Sequence, residues 1–172
     1  MMRPLVVAHR GSSGVAPENT VAAFMQAVDD GADMIELDVR MTRDFEIVVL
    51  HDRTVRRTTN GRGNIWDLTL SHLRSLDAGS WFNKKFSGER IPTLRHVISL
   101  LPPYLRLNIE VKTDGRRLPT GRVIDDSSSE RRKRIAFEES LILVLREREF
   151  VQRVLVSSFD HKFLHRFHKL AP

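Results

Sequence analysis

The sequence predicts an α/β protein built from parallel strand–helix units, and three observations carry that expectation. Short apolar runs alternate along the chain with segments of helical periodicity. One of these runs, Ile47-Val48-Val49-Leu50, is apolar throughout, the pattern of a strand covered on both faces. At 172 residues, 41% hydrophobic and 29% charged, the chain has material for one hydrophobic core and too little for two comfortable domains. A doubly wound sheet and a barrel both satisfy the alternation, and periodicity does not choose between them.

The elements follow in order. Leu5–Ala8 is the first strand. Pro17–Ala32 reads as a helix, with Asn19 able to cap its start, Val21, Phe24, Met25 and Val28 near one face, and Gly31 able to end it. Met34–Val39 and Glu46–Leu50 are the second and third strands. Residues 53–92 are irregular, with a turn at Asn60-Gly61-Arg62-Gly63 and a short helix near Thr69–Leu76. Pro92 opens a helix through Leu101 that Pro102-Pro103 stops. Leu105–Val111 is a strand, and the polar stretch 113–134 is expected to be a mobile loop. Phe137–Phe150 is an amphipathic helix, Val154–Ser157 a strand, and His161–Leu170 a helix capped by Asp160.

Composition narrows the function. The chain has no cysteine, so a bound metal must use oxygen or imidazole ligands. No apolar run approaches the ~20 residues of a membrane span, and the start MMRPLVVAHRG is too short in apolar residues for a signal peptide. A cytoplasmic location is the resulting expectation. The net charge of +6 comes from scattered basic residues. Their one dense run, Arg131-Arg132-Lys133-Arg134, adjoins an acidic and serine-rich stretch, so no nucleic-acid partner is expected.

The informative charges stand where apolar runs end: His9 and Arg10, Glu36 and Asp38, His51 and Asp52, Glu110 and Lys112. In parallel α/β folds the carboxyl ends of the strands form the rim of the active site. Residues two apart on a strand point the same way, so Glu36 faces with Asp38, and Glu110 with Lys112. Three converging carboxylates repel one another unless a cation joins them, which implies a hard divalent ion, Mg²⁺ or Ca²⁺. That ion, Arg10 and Lys112 together leave one net positive charge, matched to a phosphodiester. His9 and His51 are candidates for proton transfer, and Arg10 offers a planar fork to phosphate oxygens. Each group also has a structural reading: a histidine at a strand end, a carboxylate paired with Arg40 or Arg43, a snorkelling lysine. Their joint occurrence at successive strand ends favours the site.

His9-Arg10, Glu36-Leu37-Asp38 and His51-Asp52, set in AHRGSSGVAPENTVAAFMQAVDDGADMIELDVRMTRD, LHDRTVRRTTNGRGNIWDLTLSHLRSLDAGSWF and GERIPTLRHVISLLP, resemble the glycerophosphodiester phosphodiesterase family. LNIEVK is similar to the family's fourth-strand motif. The resemblance is dense over Leu5–Lys112 and weaker through VLVSSFDHKFLHRF. It implies a TIM-type (β/α) barrel with a small insertion after the third strand, about residues 53–92. It implies a divalent metal on Glu36, Asp38 and Glu110, an acid–base pair of His9 and His51, and phosphate binding by Arg10 and Lys112. The implied reaction is hydrolysis of glycerophosphodiesters to glycerol 3-phosphate and an alcohol. A relative on the same scaffold cleaves lysophospholipids or sphingomyelin at the corresponding bond.

A complete barrel has eight strands and ~250 residues, whereas this sequence offers five strands, near Val6, Ile35, Val48, Ile109 and Leu155. The expectation is one incomplete barrel domain over residues 1–172, with the first and fifth strands as open edges. Three readings follow: a fragment of a longer protein, a chain that self-associates through those edges, or a non-catalytic remnant that keeps the motif.

Overall fold

The computed structural model describes residues 3–113, 116–117, 123–124, 128–147 and 150–171. The strands are β1 (Val7–His9), β2 (Met34–Met41), β3 (Ile47–Val49), β4 (Arg106–Val111), β5 (Arg116–Arg117), β6 (Val123–Ile124) and β7 (Val154–Ser157). The helices are α1 (Val21–Asp29), α2 (Leu70–Ser75), α3 (Leu94–Leu100), α4 (Ser128–Glu147) and α5 (His161–Leu170).

β1, β2, β4 and β7 lie side by side in that order, and each pair is parallel. This is the strand order of a (β/α) barrel wall, and the fold is an incomplete TIM-type barrel. All five expected strands join this sheet, but β3 pairs with the far end of β2 in the antiparallel sense. The connection between β2 and β3 explains the difference. It spans Thr42–Glu46, whereas a parallel crossover needs a dozen residues or more. Phe45, at φ 63°, and the bond from Thr42 N to Glu46 O at 2.9 Å close the hairpin. Among the described residues, the wall therefore has four parallel staves and one returning strand.

Alternation along β2 separates two environments. Ile35, Leu37, Val39 and Met41 are fully buried among Phe24, Leu94, Val97 and Phe137 from the covering helices, together with Ile109 and Val111 of β4. Glu36, Asp38 and Arg40 face the other way, toward the interior of the barrel wall. Residues 53–92 carry a smaller core of their own, in which Val55, Ile65, Leu73 and Ile91 pack under Val48 and Leu50 of the hairpin.

Local chemistry sets the element ends. α1 is shorter than the expected 17–32: Thr20, not Asn19, is its cap, accepting from Ala23 N at 3.3 Å. Gly31, at φ 77°, follows its end. Thr69 caps α2, Thr93 caps α3, and Asp160 accepts from Lys162 N and Phe163 N to start α5. α4 begins well before Phe137, so the Arg131–Arg134 run lies on a helix and the expected mobile loop does not extend over 128–134. The apolar stripe misses this extension because Arg134 continues the buried face as a cation, 3.6 Å from Asp160. β5 and β6 form a two-residue antiparallel ladder within the polar stretch; the rest of that expected loop lies outside the described residues.

Candidate active site

Strand register assembles the acidic group. His9 is the pairing partner of Glu36 in the sheet, and Asp38 that of Glu110, so three staves deliver their polar residues at neighbouring levels. The hairpin delivers His51 from the opposite direction. Leu50 N donates to Asp38 O at 2.9 Å, which brings the end of β3 back beside the end of the parallel staves. Arg40 Nε then donates to His51 O at 2.9 Å and fixes its backbone.

Glu36, Asp38 and Glu110 each direct one oxygen into a space where all three lie within 4.8 Å of one another. The cations expected on a phosphate are here on these carboxylates. Lys112 Nζ lies 2.5 Å from Glu110 Oε1 and 3.0 Å from Asp38 Oδ1. Arg10 Nε lies 3.2 Å from Asp38 Oδ2. Glu36 has a weaker set of partners: Arg10 N donates to its Oε2 at 3.0 Å, while its buried Oε1 has no hydrogen-bond partner among the described residues. Burial raises its pKa to about 7, with repulsion from Asp38 and Glu110 adding to the effect and the Arg10 N–H opposing it.

That arrangement fits a divalent cation. The donors are all carboxylate oxygens, one of them is buried with no partner among the described residues, and the local charge excess is negative at the least neutralised of the three. His9 stands beside the group, and His51 joins it through its neighbours. His9 Nε2 is 3.8 Å from Glu36 Oε2, beyond a hydrogen bond, and its side chain is two-thirds exposed at 67%. His51 Nδ1 is 2.7 Å from Asp52 Oδ1, which orients the ring.

The backbone between β1 and α1 is shaped to reach this centre. Arg10 has φ 58° and Gly11 φ 79°. At Gly11 a side chain would also meet the backbone of Ala23, because an added Cβ would stand 2.6 Å from its carbonyl carbon. Asn19, at φ 60°, turns its amide onto Asp38, donating to Oδ2 at 2.9 Å and accepting from Asp38 N at 3.3 Å.

A model of the glycerophosphoryl diester phosphodiesterase family matches residues 9–172. The chain belongs to this family. It is 45% identical over 172 residues to the glycerophosphodiester phosphodiesterase of Caldanaerobacter subterraneus subsp. tengcongensis, covering 99% of this chain and 64% of the relative. A glycerophosphodiester phosphodiesterase of Bacillus subtilis is 34% identical, with 99% of this chain and 57% of the relative aligned. Among solved structures, a glycerophosphodiester phosphodiesterase from Agrobacterium tumefaciens superposes with a TM-score of 0.81 at 32% identity, over 99% of this chain and 64% of that one. An Oleispira antarctica phosphodiesterase, solved with the product sn-glycerol-3-phosphate, gives 0.79 at 33% identity, over 98% and 62%. The chain thus spans less than two thirds of these glycerophosphodiester phosphodiesterases.

All eight residues singled out from the sequence lie on, or just after, the strands β1, β2, β3 and β4. Three more take part that periodicity and spacing do not mark. Asn19 reads in the sequence as a helix cap, yet its amide serves Asp38. Glu18 receives Arg10 Nη1 at 2.9 Å, and Arg57 binds both Glu18 and Asp52. The visible signal for the first two is a polar Glu-Asn-Thr directly ahead of an apolar helix. Arg57 has none, since it stands in a basic turn among other arginines.

Proposed function

We propose that this protein hydrolyses glycerophosphodiesters to glycerol 3-phosphate and an alcohol, with Glu36, Asp38 and Glu110 holding one divalent metal ion, Mg²⁺ or Ca²⁺. The observation that carries the proposal is the three-carboxylate cluster, whose buried Glu36 oxygen lacks a partner among the described residues, with His9 Nε2 3.8 Å from Glu36 Oε2. The metal, when bound, would act as a Lewis acid on the phosphate and offset the charge that builds on it.

The chain's own residues divide the remaining work. His9 and His51 form the acid–base pair: one takes the proton from the attacking oxygen, and the other gives a proton to the departing alkoxide. Asp52, on Nδ1 of His51, leaves Nε2 of that ring available for the proton transfer. Arg10 and Lys112 supply donors for the phosphate oxygens from positions they already hold beside the cluster. The product in the Oleispira relative supports glycerol 3-phosphate as the released half.

The test is release of glycerol 3-phosphate from glycerophosphocholine by the purified chain, with Mg²⁺ or Ca²⁺, with chelator, and with Glu36→Ala. Turnover lost in both controls supports the proposal. A folded, metal-binding chain without turnover refutes it for this chain. That result would favour a second reading, in which catalysis needs more barrel wall or self-association. β1 and β7 are the outer strands of the parallel wall, and Val6, Val7 and Leu155 are exposed there.

A further inference from the structure

The candidate site and the excursion over residues 53–92 meet at one side chain. Arg57 stands on a turn whose neighbours are anchored in the excursion's small core. Val55 is fully buried there, and Thr59 Oγ1 donates to Val55 O at 2.7 Å. From that turn the guanidinium reaches two carboxylates at once. Nε donates to Asp52 Oδ2 at 2.7 Å and Nη2 to Asp52 Oδ1 at 3.0 Å. Nη1 donates to Glu18 Oε2 and Nη2 to Glu18 Oε1, both at 2.8 Å. Two edges of the guanidinium are used as planar forks, a geometry that an ammonium cannot reproduce.

The bonds continue on either side. Glu18 also holds Arg10, and Arg10 lies against Asp38 of the acidic cluster. Asp52 also holds His51 Nδ1. Charges of alternating sign therefore run from Asp38 through Arg10, Glu18, Arg57 and Asp52 to His51, joining the loop after β1 to the segment after β3.

We infer that Arg57 is a positioning residue: by fixing the Asp52 carboxylate against His51 Nδ1, it holds the ring in the tautomer that leaves Nε2 free to accept a proton. Asp52 has two oxygens, and among the described residues no partner other than Arg57 sets both the rotation of its carboxylate and its charge. The inference rests on the proposed role of His51, and it gives the excursion a task at the site, which is to present this one guanidinium. The low pKa of Asp52, about 2 and caused first by its hydrogen bonds from Arg57, agrees with a carboxylate that stays charged.

The test reads the ring directly. The chain is labelled with ¹⁵N at histidine, and the His51 nitrogens are assigned by comparison with His51→Gln. Spectra are recorded near pH 8.5, where an ordinary imidazole is neutral. In the native chain the His51 signals show a protonated Nδ1 and a bare Nε2. In Arg57→Ala the ratio of Nδ1–H to Nε2–H tautomer falls about tenfold or more, the scale of a charge-assisted hydrogen bond. Arg57→Lys, which keeps a cation but cannot fork onto both carboxylates, shifts the ratio in the same direction and decides the matter if the alanine variant does not fold. A merely structural role would lower stability and leave the His51 nitrogens of the folded chain unmoved, and that result overturns the inference. No substrate is present in this experiment. A tautomer shift in a chain without turnover would uphold the positioning role and count only against the phosphodiesterase reading.

Discussion

Replacing Glu36 by glutamine should stabilise the metal-free protein at high pH and abolish its response to metal. The carboxyl rises from 4.5 to about 7, chiefly because burial removes its water and Asp38 repels its charge. In the unfolded chain it ionises at its ordinary value, so folding takes up a proton between those two pH values. The stability this group contributes is fully present below pH 4.5 and is lost as pH rises through about 7. Every tenfold change in proton affinity is worth ~1.4 kcal/mol, which bounds the penalty at on the order of 3 kcal/mol. Glu110 of the cluster is only part-buried, and screening there reduces the realised value to roughly 1–2 kcal/mol. For a chain of this size that corresponds to about 3–6 °C in Tm. Glutamine keeps an oxygen to accept from Arg10 N and removes the charge. Thermal denaturation in chelator at pH 4 and pH 8.5 should therefore show the variant matching the native chain at the lower pH and exceeding it at the higher. Excess Mg²⁺ or Ca²⁺ should reverse that order at pH 8.5, because an ion that binds only the folded native site stabilises it by mass action. A variant that is less stable than the native chain at pH 8.5 in chelator, or equally stabilised by metal, would refute the reasoning.

Four further outcomes follow from the same geometry. Gly11→Ala places a Cβ 2.6 Å from the Ala23 carbonyl carbon at a φ of 79°, and should cost about 2–4 kcal/mol in urea denaturation. Asn19→Ala removes the amide from a fully buried Asp38 and puts alanine at φ 60°; a loss of roughly 2–4 kcal/mol is expected, again by denaturation. Asp52→Asn should weaken the acid dependence of stability. Its carboxylate sits near 2, so its contribution is present above the ordinary value of 3.8 and fades as pH falls through about 2, a change visible in acid titrations of the folded fraction. Phe137→Ala empties the point where α4 meets Trp66 and Phe163, with ring centroids 6.5 and 6.1 Å away, and should cost about 3–5 kcal/mol.

Elements are readable where one local signal suffices. β7 is four residues of strand-forming character, and α5 follows an aspartate that supplies both of its capping bonds. The acidic cluster is readable for a similar reason. The two-residue period of a strand puts Glu36 beside Asp38, and parallel register needs only that β4 end in a like pair. The direction of β3 is the less accessible point, although the length of the Thr42–Glu46 connection contains it. An apolar run reports burial on both faces, and that burial is as complete in a hairpin returning over a second core as in a barrel stave.

What the chain hides are partnerships between polar residues far apart in sequence. Glu18 and Arg57 are 39 residues apart, and both carry charges of the kind that normally face solvent. Periodicity cannot mark them, because neither lies on a regular element. Arg134 shows the same limit inside a helix, where a cation occupies a buried position that the apolar stripe would assign to a hydrophobic residue. In each case the deciding quantity is the partner. Arg134 is tolerated in the interior beside Asp160, and Arg57 is ordered because two carboxylates from separate loops converge on it. The strands thus place the carboxylates by register, while the loops orient the His51 ring by ion pairing. The two halves of the proposed chemistry therefore depend on different physics. Core substitutions under the sheet should disturb metal binding first, and salt should disturb the His51 tautomer first, since the Arg57 pairs are partly exposed and screened.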